Sequence, residues 1–261
     1  MDSGLKNRTV LVTGAAGGIG SEVCRAFLAE GARVIAHYRT QEKEAKRLSP
    51  HTLQADLTNE KDVERLFTDA ERTVGPIDTL VANAGIWVET PTPVHKMTLA
   101  QWNHTLSTNL TSMFLCFRKF LQGIEKHKLV DPSGVIVGST AGIFGEALHG
   151  DYAASKSGAT GGLLLSLKNE IVRLAPRGRV NAVCPSWVRT PMAGTFEENP
   201  DAVKRVLQTV PLRKIAMPAD VANAIVFLSS PLLAGHLSGQ SIVLAGGMEG
   251  RVLFEKEEIS L

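Results

Sequence analysis

Tyr152 and Lys156 lie four positions apart, with Ser139 thirteen positions before the tyrosine. On a helix, residues four apart share a face. A lysine cation held beside a phenol favours the phenolate, and so is expected to lower the tyrosine pKa from its usual value of about 10. A tyrosine tuned in this way can pass a proton to or from a substrate oxygen near neutral pH. Tyr-x-x-x-Lys alone is a common surface pairing. Its weight comes from a second feature, Thr13-Gly14-Ala15-Ala16-Gly17-Gly18-Ile19-Gly20, near the start of the chain.

Those residues need a scaffold, and the chain has a repeating one. Val10-Leu11-Val12 reads as a first strand that runs into the glycine-rich turn, and residues 21–30 read as a helix with Gly31 just past its end. Further apolar runs at Val34-Ile35-Ala36, residues 52–55, Leu80-Val81-Ala82, Val135-Ile136-Val137, residues 179–183 and residues 241–244 read as six more strands. Between them, Val63, Leu66, Phe67, Ala70 and Val74 recur at helical spacing. Thr98 with Gln101 resembles a capping box that opens a long helix over 101–126. A second long helix is expected over 152–175, and Pro218 suits the first turn of another. Strand–helix alternation of this kind implies a doubly wound parallel α/β sheet of about seven strands with helices on both faces. With no linker or repeat, 1–261 reads as one domain; 191–211 reads as a substrate flap and 251–261 as a charged tail.

In that context a glycine-rich strand-to-helix turn suits a dinucleotide. Glycine lets the backbone approach a pyrophosphate, and the helix N-terminus offers N–H groups and a favourable dipole. Gly14, Gly17, Gly18, Ile19 and Gly20 are therefore candidate cofactor residues. Asp56, at a strand end, reads either as an adenine partner or as a loop-capping aspartate, and Asn83-Ala84-Gly85 follows the fourth strand at the ligand-binding edge. The second strand ends Tyr38-Arg39-Thr40, with no carboxylate until Glu42. A guanidinium there suits the 2′-phosphate of NADP, so NADP(H) is expected over NAD(H), with NAD(H) use also open.

The whole chain sets limits. Its 261 residues are 44% hydrophobic and 21% charged, with a net charge of +2. A packed core is expected, and the charge balance offers no reason to invoke nucleic acid or a membrane. Cys24, Cys116 and Cys184 fit no metal-ligand spacing and read as buried thiols in a reducing, cytoplasmic setting, with no metal expected. His149, three residues before Tyr152, reads either as a substrate contact or as polar loop surface. Trp87, Phe144, Leu148, Met192 and Phe196 suggest a partly apolar substrate.

Taken together, Thr13 to Gly20, Asp56-Leu57, Ala82 to Gly85, Asn109, Ser139, Tyr152-x-x-x-Lys156, Asn181 to Pro185, Thr190-Pro191 and Leu237 to Gln240 resemble the classical short-chain dehydrogenase/reductase family. The resemblance covers nearly the whole chain and implies a Rossmann-like fold. It implies that Tyr152 is the general acid or base, that Lys156 lowers its pKa and bonds the nicotinamide ribose, and that Ser139 orients the carbonyl. It further implies that Asn109 holds a relay water, and that Leu57, Pro185, Val188 and Thr190 join the cofactor site. A homotetramer (or dimer) built on the two long helices is implied as well. The expected activity is hydride transfer between NADP(H) and a carbonyl or secondary alcohol, with 3-oxoacyl thioesters and other ketones as the candidate substrates. The alternatives are a non-catalytic redox-sensing module and an NAD-dependent sugar or alcohol dehydrogenase.

Overall fold

In a computed structural model, which describes residues 1–193, 200–248 and 250–259, seven strands form one parallel sheet in the order β3-β2-β1-β4-β5-β6-β7. They are β1 (Thr9–Val12), β2 (Arg33–Tyr38), β3 (His51–Gln54), β4 (Thr79–Ala82), β5 (Ser133–Val137), β6 (Arg179–Pro185) and β7 (Ser241–Leu244). In β1, Val12 pairs with Ala36 on one side and Val81 on the other, so the chain direction of winding reverses about this strand. Open sheets of this kind leave a crevice at the carboxyl ends of the two central strands, where ligands bind.

Both faces of the sheet are covered, which is why the strands read as continuous apolar runs rather than as alternating ones. Leu11, Ile35, Leu80 and Ile136 face a core shared with α3 (Glu60–Thr73), α5 (Ser112–His127) and α8 (Leu164–Leu174). Val10, Val12, Val34, Val81 and Val135 face the other way, against α1 (Gly18–Ala29) and α10 (Pro218–Ser229). Phe27, Phe117 and Phe120 are among the largest fully buried side chains, each contributing roughly 1.5–3 kcal/mol by burial. Gly31 has φ +76°, as its place after α1 requires.

The two long helices differ from the sequence expectation. The first is α4 (Leu99–Leu106), a wider π-helical turn over Ser107–Thr111, and then α5. The second is α7 (Gly150–Ser157), a π-helical turn over Gly158–Leu163, and then α8. A π turn inserts a residue into the helix without ending it, and such turns gather at functional sites. The capping box is only half formed. Thr98 Oγ1 accepts from Gln101 N at 3.1 Å, but Gln101 Nε2 donates to Asp151 Oδ2 at 3.3 Å instead of reaching back. Of the bulky apolar side chains Phe114, Phe117, Phe120 and Leu121 along α5, Phe117 and Phe120 are in the core, Leu121 packs against it, and Phe114 is exposed.

The segment from 200 onwards carries α9 (Pro200–Leu207). The C-terminal tail packs on it: Ile259 joins Val203 and Leu207 in a small core, and Gln208 Nε2 donates to Phe254 O at 3.0 Å. No helix among the described residues is long and apolar enough to cross a membrane.

Candidate active site

The glycine-rich turn leads directly into α1, whose N-cap is Gly17. Gly17 offers no side-chain acceptor, and the first turn of the helix holds no acidic residue. The positive end of α1 is therefore left for an external anion, which suits a pyrophosphate. A Cβ on Gly20 would collide with the Gly14 carbonyl oxygen, so only glycine lets the turn fold back on the helix start.

The turn is stitched to the strand ends around it. Thr13 Oγ1 accepts from the backbone N–H groups of Asn83 at 2.9 Å and Ala84 at 3.1 Å. Asn83 Nδ2 donates to Thr13 O and Gly14 O at 3.0 and 3.1 Å. The third fastener, His37, is one that sequence reasoning passed over. Its Nδ1 accepts from Gly14 N at 3.0 Å, and its Nε2 lies 3.1 Å from Ala55 O. A carbonyl only accepts, so Nε2 carries the proton and the ring is neutral. Burial pushes its pKa down to about 4. A histidine closing a buried strand opposite a glycine turn was the available signal.

This has a measurable consequence. In the unfolded chain the imidazole titrates near 6.5, so between pH 6.5 and 4 the unfolded state binds the proton first and stability is lost as the pH falls. His37→Gln preserves a donor and an acceptor but does not titrate. Between pH 6.5 and 4.5 the wild type should lose about 2 kcal/mol more than His37→Gln, read from urea midpoints. Equal losses would show that the buried ring is not what senses pH.

The chemistry-bearing residues come from the next strands and helices. Ser139 follows β5, and its Oγ accepts from Ala141 N at 3.1 Å, opening α6 (Ala141–Phe144). Tyr152 and Lys156 lie one turn apart on α7, with Lys156 Nζ 5.7 Å from the tyrosine ring centroid. Ser139 and Tyr152 are joined by a side-chain hydrogen bond. Lys156 is buried and donates to Val137 O at 2.8 Å.

Here the sequence expectation for the tyrosine is corrected. Burial pushes Tyr152 up to about 12 against the lowering effect of the Ser139 hydrogen bond, and the charge of Glu146 raises it further. Burial also pushes Lys156 down to about 8. Desolvation acts against both charged forms and outweighs the pairing that the i, i+4 spacing suggested.

Asn109 sits in the first π turn, fully buried. Its Nδ2 donates to Ile86 O at 2.9 Å and Ser155 Oγ at 3.1 Å, and its Oδ1 accepts from Ile86 N at 2.8 Å. A Cβ on Gly85 would stand 3.1 Å from Asn109 Oδ1 and 3.5 Å from Lys156 Nζ, so the missing side chain lets these groups converge.

One cavity of about 690 Å³ connects these parts, within the range of ligand pockets. Ser139, Tyr152 and Lys156 line its middle, and every cofactor residue expected from the sequence lies on its wall, from Gly14 to Thr190; Asn109 stands behind it. Of its two readings, Asp56 takes the loop-capping one, and it also faces the cavity. Its Oδ1 caps the loop by accepting from Thr58 N at 2.9 Å and Thr58 Oγ1 at 2.7 Å. Arg39 lines the same end and its charge helps to hold the Asp56 carboxyl below its ordinary range, after the Thr58 hydrogen bonds.

At the other end, Trp87, Phe144 and Met192 line the cavity as expected, joined by Trp187 and Met248. Leu148 is exposed, at a left-handed loop position with φ +72°, and does not line it; Phe196 lies outside the described residues. His149 is not loop surface: it is buried and stacked on Trp87 with centroids 4.5 Å apart.

Comparison with known proteins gives the same picture. Residues 14–249 match the family described as enoyl-(acyl carrier protein) reductase. The chain is 32% identical to 3beta-hydroxysteroid dehydrogenase 1 of Eggerthella lenta, over 94% of each chain. It is also 32% identical to a 3-oxoacyl-[acyl-carrier-protein] reductase of Synechocystis, over 94% of this chain and 98% of the relative. An acetoacetyl-CoA reductase of Acinetobacter is 32% identical over 93% and 98% respectively. With the parallel sheet, the glycine-rich turn and the Ser-Tyr-Lys cluster in place, the chain belongs to the short-chain dehydrogenase/reductase family of oxidoreductases.

Proposed function

We propose that this protein reduces a ketone to a secondary alcohol, or runs the reverse reaction, with NADP(H) as the hydride partner. The observation that carries this is the meeting of Ser139, Tyr152 and Lys156 midway along a cavity that begins at the glycine-rich turn. When bound, the nicotinamide supplies or accepts the hydride; the protein supplies position and electrostatics. Gly14 to Gly20 and the start of α1 bind the pyrophosphate, and Arg39 binds the phosphate on the adenosine ribose. Asn83 to Gly85, Pro185, Val188 and Thr190 line the path towards the reacting centre. Tyr152 holds a proton at its phenolic oxygen for the substrate oxygen. Ser139 donates a hydrogen bond to that same oxygen as charge develops on it.

The substrate is a ketone with apolar bulk, in keeping with Trp87, Phe144, Trp187 and Met192 on the cavity wall. The 3-oxoacyl thioesters of the named reductases fall in this class. Residues 1–261 act as a single cofactor-binding and catalytic unit, with 191–211, of which 194–199 lie outside the described residues, as its substrate flap. Exposed Phe114 on α5 and Leu165 and Val172 on α8 support self-association into the homotetramer, which light scattering checks. The test of function is oxidation of NADPH, followed by absorbance, against a panel of ketones and 3-oxoacyl thioesters. Turnover is expected with NADPH. Tight NADPH binding with no turnover across the panel would favour a redox-sensing module.

A further inference from the structure

The loop between α6 and α7 builds a feature that the reaction itself does not need. Gly145 N donates to Ala141 O at 3.0 Å and Thr92 N donates to Leu148 O at 2.8 Å, so both ends of the loop are tied down, and His149 N donates to Glu146 O at 3.2 Å within it. The loop turns through left-handed backbone at Gly145 and Leu148. Held this way, Glu146 is half-buried on the cavity wall, and Trp87 Nε1 donates to its Oε1 at 3.3 Å. Trp87 is in turn fixed by its stack on buried His149. Among the described residues lining the cavity beyond Tyr152, where Trp87, Phe144, Trp187, Met192 and Met248 supply apolar surface, Glu146 carries the charge.

A carboxylate has room for about four hydrogen bonds, and one indole N–H uses one of them. Burial pushes the Glu146 pKa up, so the ionised group lacks the solvation it would have in water. A donor from a ligand replaces that solvation, whereas a second anion adds repulsion. The donor already in place, the Trp87 indole N–H, is neutral, and a neutral hydroxyl on a ligand suits the remaining acceptor positions in the same way.

We propose that Glu146 determines substrate specificity by accepting a hydrogen bond from a hydroxyl group on the ketone substrate, and that it excludes ketones carrying a carboxylate. The expected substrate is thus a hydroxyketone with an apolar body. This rests on the reductase reading only for the cavity being the substrate site.

Three probes of like size separate the outcomes: pentan-2-one, 5-hydroxypentan-2-one and levulinate. With NADPH, the wild type should favour the hydroxyketone over pentan-2-one by about tenfold to a hundredfold in kcat/KM, the span of a hydrogen bond to a charged group. Levulinate should fall below pentan-2-one by about tenfold or more. Glu146→Gln keeps the side-chain size and removes the charge. It should bring the levulinate penalty to within about threefold of pentan-2-one and shrink the hydroxyketone preference by a similar margin. Quenching of tryptophan fluorescence in the NADPH complex reads the same ratios as binding, without turnover. Equal handling of the three probes by the wild type in both measurements, or unchanged ratios in Glu146→Gln, overturns the assignment. The expected binding ratios with no NADPH oxidation would leave Glu146 standing and remove the reductase reading instead.

Discussion

Tyr152→Phe should lower kcat by about 10²–10⁴-fold, the usual contribution of a general acid, while the Kd for NADPH stays within about twofold. The substitution retains the ring, so the packing of α7 against the cavity is kept and no void opens. What is lost is the phenolic proton and the hydrogen bond to Ser139. Because burial pushes Tyr152 up to about 12, the phenol is protonated through the neutral range and stands as a donor to a carbonyl oxygen. Lys156→Ala should behave differently, lowering turnover and weakening NADPH together, because its ammonium sits between Val137 O and the cofactor path. Stopped-flow turnover with parallel fluorescence titration separates the two variants. A Phe variant that retains more than half of wild-type turnover would remove Tyr152 from the chemistry.

Arg39→Ala should raise the KM for NADPH by roughly ten- to a hundredfold, with little change for NADH, since a charge-assisted pair is worth about 1.5–3 kcal/mol. The geometry behind this is the end of β2. Tyr38, Arg39, Thr40 and Gln41 all line the cavity. Glu42 is the first carboxylate after the strand. It pairs with Lys46 at 2.7 Å and does not line the cavity, so no acid at this strand end opposes a phosphate. Asp56 across the crevice is engaged by Thr58. Tyr38→Asp places a carboxylate where ribose hydroxyls would be bound and a 2′-phosphate repelled, so it should move the preference towards NADH. The comparison is kcat/KM for the two cofactors at saturating ketone. A wild type that favours NADH, or an Arg39→Ala variant with an unchanged KM for NADPH, would contradict the assignment.

Much of this molecule was legible before its fold was known. The central strands were readable because each is buried on both faces, which leaves runs such as Val10-Leu11-Val12 with no polar interruption. The glycine-rich turn and the Tyr152–Lys156 spacing are local features, written within eight and five consecutive residues, and the fold brings both to one cavity.

What escaped the sequence depended on contacts between distant segments. The π turns at Ser107–Thr111 and Gly158–Leu163 differ from α-helix by a single inserted residue, too little to disturb an apolar stripe. His37 became a fastener of the cofactor turn only because β2 lies beside β1, and buried His149 lies against Trp87 and Thr92, both distant in the chain. The ionisation of Tyr152 shows the division most clearly. Residue identity and spacing determined that a phenol and an ammonium would share one helix face. The direction of both pKa shifts was decided by how deeply the tertiary structure withdrew them from water, because desolvation opposes charge whatever the neighbour's sign.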